Sequence, residues 1–232
     1  MSSGSQGIVV AVDGTSGSGK SSTSRGVAVR LGLRYLDTGA MYRAMTWWML
    51  RHGVDIDDPD AVAARCGEPV IESGTDPAAP TIAVDGEDVA RAIREPDVNA
   101  AVSPVSAVPA VRARMVAVQR AAIEDALTGR GIVVEGRDIG SVVWPDAPVK
   151  VYLSADPAAR ATRRAAEEGG SDVSATEESL LARDRIDSGR TVSPLVAPDD
   201  AVLIDTTPFT LDEVVAQVVA LVEQLDSVGT DA

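Results

Sequence analysis

The chain has 232 residues, 45% of them hydrophobic, and a formal net charge of −14 from 35 acidic residues against 21 lysines and arginines. That length carries one sizeable core with room for a smaller attached lobe, and such an acid excess excludes a general affinity for nucleic acid or anionic membrane and demands a local basic pocket for any anionic ligand. One cysteine, Cys66, excludes an intrachain disulfide and points to a reducing cytoplasm, and the sequence shows no signal-peptide pattern and no run of membrane-spanning length.

Aromatic residues make up only 3% of the chain, so the core is expected to be built from Val, Ala, Leu and Ile. Residues 8–12 form an apolar run of the kind found in parallel strands buried on both faces. The run leads into Asp13-Gly14-Thr15-Ser16-Gly17-Ser18-Gly19-Lys20-Ser21-Ser22, and a helix is expected over residues 20–31 with Gly32 as its stop. A short strand over residues 33–36 precedes Asp37-Thr38-Gly39, and residues 41–51 then read as a helix with Met45, Trp48 and Met49 on one face. Pro, Gly, Asp and Glu become frequent between Asp55 and Pro96, where residues 69–72 and 81–87 read as short strands with an Asp85-Gly86 turn. Residues 55–97 are therefore expected to form a small lobe inserted into a domain made of residues 1–54 and 98–232.

A helix over residues 109–127 comes next, then strands at 132–135 and 149–153 and a helix over 157–168. Gly169-Gly170-Ser171 reads as a break, residues 175–188 as a further helix and residues 201–204 as a last strand. The C-terminal helix is announced by the capping box Thr210-x-x-Glu213 and by Leu211, Val214, Val215, Val218, Val222 and Leu225 at helical spacing. This alternation of strand and helix gives an α/β fold class with a largely parallel sheet.

Gly14-x-x-x-x-Gly19-Lys20-Ser21 matches a phosphate-binding P-loop, and its context matches too, with an apolar strand before it and a helix after it. The glycines permit turns that aim successive N–H groups inward, and the helix N-terminus adds partial positive charge. Gly14, Thr15, Ser16, Gly17, Ser18, Gly19, Lys20, Ser21 and Ser22 are thus the candidate ATP-binding segment. Lys20, one of two lysines with Lys150, is expected to reach the β- and γ-phosphates, and the Ser21 hydroxyl to ligate Mg²⁺. The bland alternative, a glycine-rich surface turn, does not explain motif and context together. No guanine-reading Asn/Thr-Lys-x-Asp segment exists around either lysine, which argues against a GTPase. A compact chain with an inserted lobe and arginine-bearing helices suits a small-molecule kinase better than a motor.

Three further segments carry a resemblance. They are Asp37-Thr38-Gly39-Ala40-Met41-Tyr42-Arg43-Ala44, the stretch from Gly136-Arg137-Asp138-Ile139-Gly140 to Ala147, and Arg183-Asp184-Arg185-Ile186-Asp187-Ser188-Gly189-Arg190, leading through Ser193-Pro194-Leu195 to Asp205-Thr206-Thr207. With the P-loop, and in this order, they resemble the bacterial cytidylate kinase family over nearly the whole chain. Thr15 and Ser22 stand where proline and threonine are common in the family, and Thr38 where serine also occurs.

The resemblance implies a three-layer P-loop NTPase fold with a parallel central sheet, an inserted nucleoside-monophosphate-binding lobe and a short lid at about residues 160–175. It implies ATP as phosphoryl donor, Mg²⁺, and CMP and dCMP as acceptors, converted to CDP and dCDP. It places Asp138 and Arg112 on the cytosine edge with Thr38 beside them, Arg43 and Arg137 on the acceptor phosphate, Asp187 on the pentose hydroxyls, and Arg183 and Arg190 on the phosphates. A carboxylate at 138 would accept from the N4 amino group of cytosine and repel the oxygen of uracil; its alternative role is a loop cap or a pair with Arg137. Arg183, Asp187 and Arg190 share one helical face, which by spacing alone reads as a surface ion-pair ladder. Arg160, Arg163 and Arg164 also share a face, resembling the lid, or else forming a solvated face. Lys20, Arg137, Arg160, Arg164 and Arg190 are the candidates for stabilising the transferred group.

His52, the sole histidine, is expected to be exposed, Trp47 and Trp48 to serve packing, and Glu135 to hold a Mg²⁺-bound water. The protein is expected to be a cytoplasmic monomer without nucleic-acid or membrane partners. A kinase for UMP or shikimate, and a non-catalytic nucleotide-binding switch, stay open as alternatives.

Overall fold

The computed structural model describes residues 7–167, 170, 172–190 and 195–228. Its elements in order are β1 (Ile8–Gly14), α1 (Lys20–Leu31), β2 (Arg34–Asp37), α2 (Thr38–Arg51), α3 (Pro59–Arg65), β3 (Ile71–Ser73), β4 (Ile82–Val84), β5 (Glu87–Asp88), α4 (Pro96–Ala107), α5 (Pro109–Leu127), β6 (Gly131–Glu135), β7 (Val149–Ser154), α6 (Pro157–Glu167), α7 (Val173–Ser188), β8 (Val202–Asp205) and α8 (Leu211–Val228). A 3-10 turn at Ala92–Arg94 precedes α4, and a π-helical turn at Ile139–Val143 comes after β6.

The central sheet has the order β2-β6-β1-β7-β8, and every pairing in it is parallel. β1 takes the middle because its side chains can be buried on both faces. Val9 and Ala11 join one apolar cluster with α2, α4 and α5, while Val10 and Val12 join a second with α1 and α8. The result is three layers, with strand C-termini opening on one edge where the chain diverges to either side of β1. The strand register sets Asp37 opposite Glu135, and Glu135 opposite Val12, so the ends of β2, β6 and β1 meet at that edge.

Within residues 71–88 the chain forms a small antiparallel sheet, β3-β4-β5. Its tight turn is the expected Asp-Gly pair, with Asp85 at φ 51 and Gly86 at φ 82, the positive values that a two-residue hairpin requires. Asp85 accepts from Val70 N at 2.8 Å and from Trp48 Nε1 at 3.0 Å, which ties the small sheet to α2. Ile71, Ile82, Val84 and Ile93 belong to the same apolar cluster as α2.

Most boundaries agree with the sequence reading, including the Gly32 stop at φ 63 and the capping box, where Thr210 N donates to Glu213 Oε2 at 2.8 Å and Glu213 N to Thr210 Oγ1 at 3.4 Å. Four features differ. α2 begins three residues before the expected start, because the Asp37 side chain accepts from Ala40 N at 2.8 Å and caps the helix there. α4 is absent from the sequence expectation; Pro104 inside it hides the helical pattern, and burial between α2 and α5 carries it through. The core is not purely aliphatic, since Tyr35, Trp47, Trp48 and a column of Met41, Met45 and Met49 are buried. Leu211 and Leu225, placed on the buried stripe of α8 by spacing, are exposed at its two ends.

The expected break at 169–171 lies outside the described residues except for Gly170, as do Ser193 and Pro194. Among the described residues no single helix is long and apolar enough to cross a membrane.

Candidate active site

The strand ends, α2, α4, α5 and α7 line an open cleft. Its lining carries eight cationic side chains against four carboxylates, in a chain whose overall charge is −14. An anionic ligand thus meets an attractive pocket in a repulsive surface.

One wall is the P-loop. Gly14 has φ 144, and a Cβ there would collide with the Leu153 carbonyl oxygen; Gly17 and Gly19 have φ 75 and 85. The loop can therefore turn between β1 and α1 only with glycine at these points. Ser16, Gly17, Lys20 and Ser21 face the cleft. Lys20 Nζ donates to Thr15 O at 2.6 Å and Ser18 Oγ to the same oxygen at 3.0 Å, so Thr15 braces the loop from within. Burial, with Arg137 nearby, holds the Lys20 ammonium well below its ordinary value, a penalty that a bound phosphate would offset. Ser22 does not line this cleft; it sits on a separate open cavity with Arg25, Pro77 and Leu211.

The loop tip is held from behind by α6 and α7. Arg160 Nη1 donates to Ser16 O at 2.9 Å and pairs with Asp184, whose Oδ1 accepts from Ser16 N at 3.1 Å. Arg160 is buried beneath the loop and does not line the cleft. Arg163 is anchored on Thr206, donating to its carbonyl at 2.8 Å and to its hydroxyl at 3.0 Å. Arg164 is the member of this trio that lines the cleft.

Where β2 and β6 end, Ser21 Oγ donates to Glu135 Oε2 at 2.9 Å, Tyr35 Oη donates to Oε1, and Thr38 Oγ1 donates to Glu135 O at 2.7 Å. Burial and the nearby Asp37 push the Glu135 carboxyl above its usual range. Two crowded acids beside the Ser21 hydroxyl are a donor set that fits a hard divalent cation carried on nucleotide phosphates. Among the described residues no cluster of three or more His, Cys, Asp or Glu side chains could hold a metal by itself.

The opposite wall is made of side chains from several elements. Arg112 from α5 and Asp138 form a buried ion pair. The Arg112 guanidinium also lies 5.5 Å from the centre of the Tyr42 ring, and its Nη1 donates to Ser106 O at 3.5 Å. Asp138 is thus paired with Arg112 and not with its neighbour Arg137. Arg137 turns the other way, donating from Nε to Asp187 Oδ2 at 3.1 Å and from Nη1 to Gly14 O at 3.1 Å.

Arg190 pairs with the other oxygen of Asp187 and donates to Ser106 Oγ at 2.9 Å. Arg183 and Asp187 lie on α7 as their spacing predicts, but that helix ends at Ser188, and Arg190 reaches the same cleft from the turn beyond it. Arg43 pairs with the Asn99 side chain; burial, then the charges of Arg183 and Arg164, lower its pKa to about 9. Burial and Arg137 similarly lower Arg183 to about 10. Guanidiniums crowded in this way mark a place for an anion.

The cleft also contains residues that the sequence did not single out. Arg94 arrives from the 3-10 turn that precedes α4, and Ser103 and Ser106 from α4. Asp37 ends β2 and lines the cleft beside Thr38. Ser103-Pro104-Val105-Ser106 carries no helix signal in the sequence, because serine and proline both disfavour a helix interior. His52 is exposed and stacks on Trp48 at 3.9 Å between ring centroids, and both tryptophans of α2 are packing residues.

The cytidylate kinase family model matches residues 10–224. Similar proteins include the cytidylate kinase of Streptomyces griseus subsp. griseus, 60% identical over 216 residues that cover 93% of each chain. The cytidylate kinase of Rhodococcus opacus is 53% identical over 227 residues, covering 96% of this chain and 97% of its own. A solved structure of an uncharacterized protein from Eubacterium ventriosum covers 93% of this chain and 98% of its own with a TM-score of 0.52 at 12% identity, a likeness of fold alone. With a glycine-turned loop facing an arginine-lined wall, and a match over nearly its whole length, the chain belongs to the cytidylate kinase family and is a nucleoside monophosphate kinase.

Proposed function

We propose that this chain transfers the γ-phosphoryl group of ATP to CMP and dCMP, giving ADP with CDP or dCDP, and that Asp138 and Arg112 select the base. The observation that carries the reading is their buried ion pair in the wall facing the P-loop. Asp138 offers an acceptor to the N4 amino group of cytosine, and Arg112 offers donors to the O2 and N3 side, with Thr38 beside them. The oxygen of uracil would meet the carboxylate instead, and a reversed partner in a buried polar site costs on the order of 10⁴ in discrimination. Arg43 and Arg137 bind the acceptor phosphate, joined by Arg94. Arg183, Asp187 and Arg190 orient the pentose and the phosphates.

Lys20 and the backbone N–H groups of residues 14–21 hold the donor phosphates. Magnesium, when bound with the nucleotide, supplies charge neutralisation at the β- and γ-phosphates, and Ser21 with Glu135 and Asp37 behind it would hold it. The acceptor phosphate oxygen is already anionic, so no general base is needed. Lys20, Arg137, Arg164 and Arg190 stabilise the charge on the transferred group, while Arg160 acts through the loop tip that it braces. Residues 55–97 serve as the acceptor-binding lobe, and α6 with the start of α7, about residues 160–175, as a lid.

The enzyme works as a cytoplasmic monomer without nucleic-acid or membrane partners. A single chain lines both walls of the cleft, and the charge of −14 opposes polyanions. The reading is tested by coupled ADP release across CMP, dCMP, UMP, AMP and shikimate. Rapid turnover of CMP and dCMP with slow UMP supports it. Equal rates with CMP and UMP reject the role of Asp138, and slow ATP hydrolysis indifferent to every acceptor points to a nucleotide-binding switch.

A further inference from the structure

Asp13 precedes the first glycine of the P-loop, is buried, and does not line the nucleotide cleft. Its carboxylate accepts two backbone hydrogen bonds, from Ile139 N to Oδ1 and from Gly140 N to Oδ2, both 2.8 Å. These are the two amides that directly succeed Asp138. On the other side Val142 N and Val143 N donate to Asp138 O at 2.9 and 3.1 Å, closing the π-helical turn. Arg120 fixes the end of that turn through Val142 O and Val143 O, both 2.9 Å. The main chain of Asp138 is thereby held from both directions, and Asp13 ties it to the strand that carries the P-loop.

Two further links run between the same segments. Gly136 N donates to Val12 O at 3.0 Å and Arg137 Nη1 to Gly14 O at 3.1 Å. Of these three links, the one from Asp13 reaches the residues after Asp138. Burial and the nearby Asp138 charge push the Asp13 carboxyl up to about 6, so the site keeps this acid against a desolvation penalty. A carboxylate presents two acceptors to two converging N–H groups, whereas an amide presents one acceptor and sets its own N–H₂ against the second donor.

We propose that Asp13 is a positioning residue for base selection: by anchoring the amides of Ile139 and Gly140 it fixes Asp138 against Arg112, and it thereby sets the preference for an amino-bearing pyrimidine. The inference rests on the proposed reading of the acceptor as CMP or dCMP. The test is steady-state kinetics of Asp13→Asn with CMP, UMP and ATP. The expected result is a loss of about tenfold or more in kcat/KM for CMP, a change of less than about threefold for UMP, and a KM for ATP within about twofold of wild type.

A double variant with Asp138→Asn should narrow the CMP to UMP ratio no further than Asp138→Asn alone, because both changes act through one group. Parallel losses for CMP and UMP, an unchanged ratio, or additive effects in the double variant would overturn the proposal. If Asp13→Asn does not fold, Asp13→Glu keeps both acceptors on an arm one methylene longer, and the same ratio is read, with narrowing expected and no change decisive against. A wild-type enzyme without preference for CMP over UMP would sink the acceptor reading itself; a wild-type preference retained in the Asp13 variants would sink only this inference.

Discussion

Between β1 and α1 the cleft is walled by main chain turned by glycines, whereas the facing wall consists of side chains sent from α2, α5, α7 and the turn after β6. The loop wall is fixed by conformation, with Lys20 as its one charged member, and it needs few particular side chains. The facing wall is fixed by pairing, Arg112 with Asp138, Arg137 and Arg190 with Asp187, and Arg43 with Asn99. Removing one member of such a pair disturbs the other, because a buried charge left alone is costly. The backbone wall should therefore answer to substitutions in the chemical step, and the side-chain wall in acceptor binding and choice.

The largest effect that would break this division concerns Lys20. Lys20→Ala should lower kcat by about 10³-fold or more while calorimetric CMP affinity stays within about threefold of wild type. Loss of CMP binding along with turnover would show that the two walls do not act separately. A smaller effect is expected on the opposite side. Arg43→Ala should raise KM for CMP by about tenfold or more and leave KM for ATP nearly unchanged, as measured by titrating each substrate at saturation of the other. An equal rise in both would mean that Arg43 serves a shared phosphate site.

The smallest effect sharpens the link between the walls. Because the folded state raises Asp13 from 3.8 to about 6, it holds that proton more tightly than the unfolded chain does. The stabilising contribution is present in full below the unfolded value and is lost as pH rises through the folded one. Urea unfolding at about pH 4.5 and about pH 7 should therefore show wild type gaining stability relative to Asp13→Asn on acidification. A wild-type-to-variant difference that is equal at both pH values would contradict the burial of that carboxylate.

The same contrast between walls governs how legible each is in the sequence. The P-loop is legible because its spacing is imposed by local backbone geometry, as are the Asp85-Gly86 hairpin and the Thr210–Glu213 capping box. Arg43, Arg112 and Asp138 stand out only through resemblance, since nothing local marks an arginine on a helix as facing a cleft. Asp13 escapes notice because its partners lie 126 and 127 positions away, beyond any local pattern. Arg160, Arg163 and Arg164 share a face by spacing, yet only tertiary packing sends one under the loop, one to Thr206 and one to the cleft. α4 is hidden by Pro104, a local signal overruled by burial between neighbouring helices.

Whether a buried acid reads the acceptor base is decided by the ratio of kcat/KM for CMP to that for UMP in wild type and in Asp138→Asn. A strong preference for CMP is expected in wild type and a narrowing of about 10²-fold or more in the variant, with KM for ATP little changed. A ratio that is the same in both enzymes would contradict that role for Asp138.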